Sequence, residues 1–213
     1  MYAKFFKRVI DFSLSLIAFI VLIPLLSILS VVGAFAMKGN PFFVQPRPGK
    51  KDKNGNEVIF NLLKFRTMTN QKDQNGNLLP DDKRLTAYGR FLRATSLDEL
   101  PQLLNIIAGD MAIVGPRALL VKYLPLYTPE QRQRHNVRPG LTGLAQINGR
   151  NAITWEDKFT LDVQYVSNIT FKGDINILIG TVKAVLSRKD ISSATSVTME
   201  EFKGYAKELT LHE

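Results

Sequence analysis

Asp98 and Glu99 stand side by side in the run Ser96-Leu97-Asp98-Glu99. Adjacent carboxylates suit two kinds of chemistry: attack on an electrophile such as phosphorus, and the binding of a divalent cation. The spacing reads as a capping box, with Ser96 capping a helix and Glu99 reaching back to the Ser96 amide. Asp98 then lies in the first turn. The partial positive charge of the helix terminus and a guanidinium such as Arg93 lower a carboxylate pKa there. An ionised, positioned Asp is what nucleophilic attack requires. Acidic residues also occupy first turns with no further role, so both readings stand at this point.

A second constellation is basic: Lys64, Arg66, Arg117, Arg138 and Arg150, read as lying on loops. Arg117 follows Gly115-Pro116, and Arg138 precedes Pro139-Gly140. Rigid turns can present a guanidinium to a phosphate, which it grips with two parallel hydrogen bonds. Solvated surface charge is the plainer alternative. The glycines between Gly140 and Arg150 would let backbone amides approach an anion. They match neither the G-x-x-x-x-G-K-[ST] nor the G-x-G-x-x-G fingerprint. The 2 histidines, His135 and His212, are too far apart for a histidine metal site. Asp81-Asp82 reads as helix-terminal charge, and Asp73-Gln74-Asn75-Gly76 lacks a full calcium ligand ladder. Trp155, Phe159 and Tyr165 read as core.

These groups must be positioned by the rest of the chain. The 213 residues suit one domain with an anchor. There are 0 cysteines, which excludes disulfides, zinc-thiolate sites and cysteine nucleophiles. A net charge of +9 suits polyanions: nucleic acid, anionic lipid or phosphorylated substrates. Phe12 to Met37 carries no charged residue and is long enough to cross a bilayer. Both of its flanks are basic, with Lys4, Lys7 and Arg8 before it and Lys38, Arg47, Lys50, Lys51 and Lys53 after. Positive charge stays cytoplasmic. A helix broken at Pro24 could therefore dip in and return, with Ser27 and Ser30 supporting the freed backbone. An ordinary kinked span competes with that form. A signal peptide does not fit so long a run.

Beyond the anchor, Pro41–Gln45 and Glu57–Phe65 read as strands around an Asn54-Gly55 turn. Residues 83–94 read as one basic helix, and a second helix runs from Ser96 to a stop at Gly109. Thr128-Pro129-Glu130-Gln131 opens a third. Val137 to Asn151 reads as loop. Thr154 caps a helix to Val166, and residues 174–187 form an amphipathic helix. The expected fold is α+β, mainly helical, with a membrane helix over residues 1–38, a catalytic domain over 39–190 and a polar tail over 191–213.

The stretch from Leu85 to Leu103, with Asn105 and Gly109-Asp110-Met111, resembles the signature of the bacterial sugar transferases. These are monotopic polyprenyl-phosphate phosphoglycosyl transferases. Val114-Gly115-Pro116-Arg117, Arg138-Pro139-Gly140-Leu141-Thr142-Gly143, Gln146, Asn148-Gly149-Arg150 and the start Phe6-Lys7-Arg8 with Asp11 extend the likeness over nearly the whole chain. The short form is most similar to bacillosamine-type transferases. The resemblance implies that Asp98 attacks a UDP-sugar, releasing UMP and holding a covalent phosphosugar until polyprenyl phosphate takes it. It implies Mg²⁺ at Asp98 and Glu99. It also implies substrate contacts from Lys64, Arg93, Arg117 and Asp162, to which the basic loops add Arg138 and Arg150. A re-entrant helix at Pro24, the lipid bilayer as partner and the cytoplasmic face of the inner membrane are implied as well. No nucleic-acid partner follows from it, and it leaves the oligomeric state open. Two departures are Ile23, where the family often has Ser, and Ala118, where it usually has Pro. Direct attack by the lipid phosphate in a ternary complex remains an alternative. A non-catalytic, membrane-anchored polyanion binder would rest on net charge alone.

Overall fold

The apolar run forms one helix. The computed structural model, which describes residues 1–149, 152–187 and 201–204, opens with a π-helical turn, Tyr2–Phe6, and continues as α1, Lys7–Met37. The expected break at Pro24 is corrected: Pro24 lies inside α1, and the helix runs through it. Proline removes one intrahelical donor, but tertiary packing holds the helix on both sides of it. Ala18, Phe19 and Leu22 pack on Phe60, Leu62, Leu103 and Ile106, while Leu25, Leu26 and Leu29 pack with Phe65 and Leu92. Of the two serines expected to support this backbone, Ser30 does so, its Oγ donating to Leu26 O at 2.7 Å.

Polar contacts fix α1 along its length. The Asp174 carboxylate accepts from Tyr2 OH at 2.6 Å, Lys7 Nζ at 2.8 Å and Tyr165 OH at 2.8 Å. Asp11 accepts from the Ile113 amide at 3.2 Å. Further along, Tyr88 OH donates to Leu29 O at 2.7 Å, and Gly33 lies against Pro41 and Tyr88. The other sides of α1 leave Phe12, Ile17, Ile20, Val21, Ile28, Val31 and Phe35 exposed.

β1 (Phe42–Lys51) and β2 (Glu57–Phe65) form the expected antiparallel hairpin, with Arg47 opposite Phe60 and Phe43 opposite Lys64. The expected basic helix over 83–94 is two pieces, α2 (Asp81–Arg84) and α3 (Ala87–Thr95), because Thr86 caps the second by accepting from the Gly89 amide. Gly89 sits where an added Cβ would lie 1.9 Å from Thr67 O. α4 (Gln102–Ala108) ends at Gly109 as expected. Its buried Asn105 docks it on β2, donating to Asn61 O at 2.9 Å and accepting from Leu63 N at 3.0 Å.

The expected loop from Val137 to Asn151 is corrected. It contains β4 (Gly140–Thr142), parallel to β3 (Ala112–Val114), and α5 (Leu144–Ile147). Its glycines permit backbone contact: a Cβ on Gly140 would lie 2.1 Å from Gly115 N, and one on Gly143 2.2 Å from Gly115 O. Thr128 and Gln131 make the reciprocal capping contacts, but the segment they open is a 3-10 turn, Gln131–Asn136. α6 (Trp155–Ser167) and α7 (Phe171–Ser187) complete the domain. Phe202 packs into the Tyr123, Tyr127 and Phe159 cluster.

His135 in that 3-10 turn is buried, with Nδ1 3.3 Å from Gly49 O and Nε2 without a partner. Burial, then Arg134, pushes it down to about 3. Below about pH 6.5 the unfolded chain therefore binds a proton that the folded one refuses, and stability falls as pH drops toward 3. Between pH 8 and pH 5 this contributes a loss of about 2 kcal/mol. Denaturant unfolding at both pH values should show His135→Gln spared that part. Equal acid sensitivity in both proteins would rule out His135 as its source.

Candidate active site

Glu99 is the hub of the site. Its Oε1 accepts from Lys64 Nζ at 2.7 Å and from Arg117 Nη2 at 2.6 Å. The local folding explains both contacts. Side chains alternate along a strand, so Lys64 shares a face of β2 with Phe60 and Leu62, the face packed on α4. Asn105 sets the height of α4 on that strand and thereby brings Glu99 to Lys64. Arg117 leaves the end of β3, where its backbone bridges to Gly140. Arg134 Nη2 donates to Arg117 O at 2.7 Å and is itself held by Asp162 at 2.7 Å.

The expected capping box is absent. Ser96 is the C-cap of α3, at φ 57°, and makes no side-chain cap. A 3-10 turn, Leu97–Glu99, carries the two acids, and the following helix begins only after Pro101. Ion pairing to Lys64 and Arg117 takes Glu99 away from the Ser96 amide. The left-handed Ser96, sparsely populated for a non-glycine residue, turns the chain so that both acids face the basic groups.

The two carboxylates have different surroundings. Burial alone would push Glu99 up, but Arg117 and Lys64 hold it well below the usual carboxylate range. Asp98 is raised, first by burial and also by the Glu99 charge, against the pull of Lys64, Arg117 and Arg93. The expected lowering by a helix terminus is thus corrected, since Asp98 opens no α-helix. No described residue hydrogen-bonds to the Asp98 carboxylate. The arrangement leaves one acid ion-paired and the other raised, with no hydrogen bond from a described residue.

The structure gathers Asp98, Glu99, Lys64 and Arg117, with Arg93 close enough to act on Asp98 electrostatically. Arg93 Nε itself donates to Thr67 Oγ1 at 3.1 Å. Asp162 stands behind Arg117, its Oδ2 accepting from Arg134 Nε and Nη2. Arg138 is not brought to this group. Its Nε donates to Gly109 O at 2.6 Å, at the far end of α4, where Arg8 also caps Ile106 O and Ile107 O. Arg150 lies outside the described residues.

One further basic residue lines the site and another lies close to Arg117. Arg47 lines a pocket of about 70 Å³ together with Lys64, Glu99, Gln102 and Arg117. In the sequence it reads only as membrane-flanking charge, although Gln45 and Arg47 alternate onto one strand face. Lys158 on α6 is pushed down to about 8, first by burial and then by Arg117. Its place one helical turn before Asp162 was the available signal.

The family model described as bacterial sugar transferase matches residues 2–188. The chain belongs to that family. As a sugar transferase it is an enzyme, and it has relatives of two lengths. It is 51% identical over 200 residues to the uncharacterized sugar transferase EpsL of Bacillus subtilis, covering 93% of this chain and 96% of that one. It is 38% identical over 200 residues to the exopolysaccharide production protein ExoY of Sinorhizobium fredii, covering 85% and 86%. It is 35% identical over 199 residues to the undecaprenyl-phosphate galactose phosphotransferase of Salmonella typhimurium. That match covers 87% of the transferase described here but only 41% of the longer protein.

Within the transferase, a free carboxylate beside cations suits displacement at phosphorus. Lys64 and Arg117 can neutralise phosphate oxygens while Asp98 supplies electrons.

Proposed function

We propose that this transferase moves a sugar 1-phosphate from a UDP-sugar to polyprenyl phosphate, releasing UMP, in an early membrane step of polysaccharide synthesis. The observation that carries the reading is the unpaired Asp98 beside a Glu99 clamped by Lys64 and Arg117. An Asp98 oxygen attacks the β-phosphorus, and the bond from that phosphorus to the oxygen shared with the α-phosphate breaks. UMP leaves with the electron pair. An oxygen of the lipid phosphate then attacks the same phosphorus and displaces the Asp98 carboxylate. Neither step needs a proton relay, because carboxylate and lipid phosphate are already anionic.

Mg²⁺ fits the donors present. Both contacts to Glu99 fall on Oε1, which leaves Oε2 and the Asp98 oxygens for a hard cation. Mg²⁺ is usually held by one or two carboxylates together with substrate phosphates. There it would offset charge on the phosphates as the leaving group departs. Incubation of the enzyme with Mg²⁺, undecaprenyl phosphate and a panel of UDP-sugars tests the reading. UMP and a lipid-linked sugar diphosphate are expected from one donor, and no product from any donor would contradict it.

The membrane arrangement follows from α1. A helix of that length extends about 46 Å, beyond a bilayer core of about 30 Å. Its contacts with the domain run from Lys7 to Gly33, so a straight span would drag the domain across the bilayer. We infer that both ends of α1 face the cytoplasm and that its exposed apolar side enters the lipid. Ala3→Cys and Asn40→Cys, labelled in oriented inner-membrane vesicles, should both react from the cytoplasmic side. Reaction from opposite sides would establish a simple span.

A further inference from the structure

Arg47 is a guanidinium without an anion. Its Nη2 donates to Gln45 Oε1 at 2.6 Å and its Nη1 to Ala118 O at 3.2 Å, both neutral acceptors. Its Nε is buried and has no partner. Burial, and then repulsion from Arg117, pushes the group down to about 10. Arg47 as a whole is half-buried, and buried polar atoms such as its Nε are otherwise almost always satisfied. The Gln45 contact turns the side chain inward, because Gln45 and Arg47 share the strand face that lies opposite Phe60 and Leu62. Lys64 lies further along that face. The pocket it enters is lined by three cations, Arg47, Lys64 and Arg117, and by one carboxylate, Glu99. A surplus of positive charge in a small, partly enclosed space suits a compact anion such as a phosphate group.

We propose that Arg47 is a substrate-binding residue, its guanidinium charge completing with Lys64 and Arg117 a pocket for one phosphate group. The inference rests on the phosphoryl-transfer reading above and names the residue that grips the phosphate not under attack. The same chemistry is offered by the α-phosphate of the nucleotide and by the phosphate of the lipid acceptor. The second role of Arg47, bracing Ala118 next to Arg117, is structural and makes a different prediction. A brace acts on thermal stability and on the position of Arg117, whereas a ligand role leaves the melting temperature unchanged and makes the Arg47 guanidinium itself respond to bound phosphate.

The test uses the full-length enzyme in nanodiscs and Arg47→Met, which keeps the length of the side chain and removes its charge. Inorganic phosphate, UMP and a short-chain prenyl phosphate are titrated separately by calorimetry. The expected result is at least a tenfold loss of affinity for phosphate and for one of the two organic ligands, with the melting temperature preserved. A loss confined to UMP assigns the pocket to the donor; a loss confined to prenyl phosphate assigns it to the acceptor. Unchanged affinity for all three overturns the proposal. Should Arg47→Met fail to fold, the wild type provides the second readout. Its Arg47 ¹⁵Nε–H resonance, assigned with Arg47→Lys, should shift on saturation with phosphate, and an unmoved resonance would equally refute the assignment. Phosphate binding needs no turnover, so absence of activity toward every UDP-sugar would strike the functional reading separately from this one.

Discussion

Asp98→Asn is expected to lower turnover by at least about 1,000-fold, the scale seen when a covalent nucleophile is removed. The amide is nearly isosteric, so the fold and Glu99's pairing with Lys64 and Arg117 should persist. Affinity for the UDP-sugar should therefore stay within a few-fold of the wild type while kcat collapses. The raised position of Asp98 adds a pH dependence. Its carboxylate gains a proton at a higher pH than an ordinary aspartate, so kcat/KM should fall on acidification before an ordinary aspartate would titrate. Steady-state kinetics of both proteins between pH 4 and 8 checks this. Retention of a tenth or more of the wild-type kcat in Asp98→Asn would favour direct attack by the lipid phosphate instead.

Asp162→Asn should produce the largest loss of stability. Arg134 and Asp162 are both almost fully buried, and two guanidinium nitrogens, Nε and Nη2, donate to one Asp162 oxygen at 3.0 and 2.7 Å. Burial alone would push Arg134 down, but Asp162 holds it above its ordinary value. Removal of the negative partner strands a buried cation, a loss of about 3–5 kcal/mol. For a chain of this size that lowers the melting temperature by roughly 10 °C. Arg134 also donates to Arg117 O, so the variant should lose activity through a displaced Arg117 even where it remains folded. Differential scanning calorimetry with a parallel KM measurement separates the two effects. A melting temperature within 2 °C of wild type would show that the pair is not the brace described here.

These two residues also show what was legible in the sequence. Asp98 announced itself through its neighbours, because Asp-Glu followed by Leu-Pro-Gln is a local pattern. Its environment was not legible. Lys64 and Arg117 reach Glu99 from elements 35 and 18 residues away, and no local rule anticipates that competition with the Ser96 amide. Asp162 was visible as an acid on a helix, but its partner Arg134 sits in a 3-10 turn with no periodic signal. Elements with strong local punctuation were readable: the hairpin at Asn54-Gly55, the Thr154 cap, the Gly109 stop. β3 and β4 were not, because three-residue strands in a stretch rich in glycine and proline carry no alternation. Gly140 and Gly143, read as loop glycines, permit close backbone contact with Gly115. Arg47 was hidden by its company, one basic residue among several after an apolar run.

The proposed reaction turns on a bond between Asp98 and the sugar phosphate. The direct measurement incubates the purified enzyme with UDP-sugar labelled in the sugar, with Mg²⁺ and no lipid acceptor, followed by rapid quench and peptide mass spectrometry. One UMP released per active site is expected, with label on the peptide containing Asp98 and discharge of that label when undecaprenyl phosphate is added. Release of UMP only after the lipid is present, with no labelled protein at any time, would contradict it.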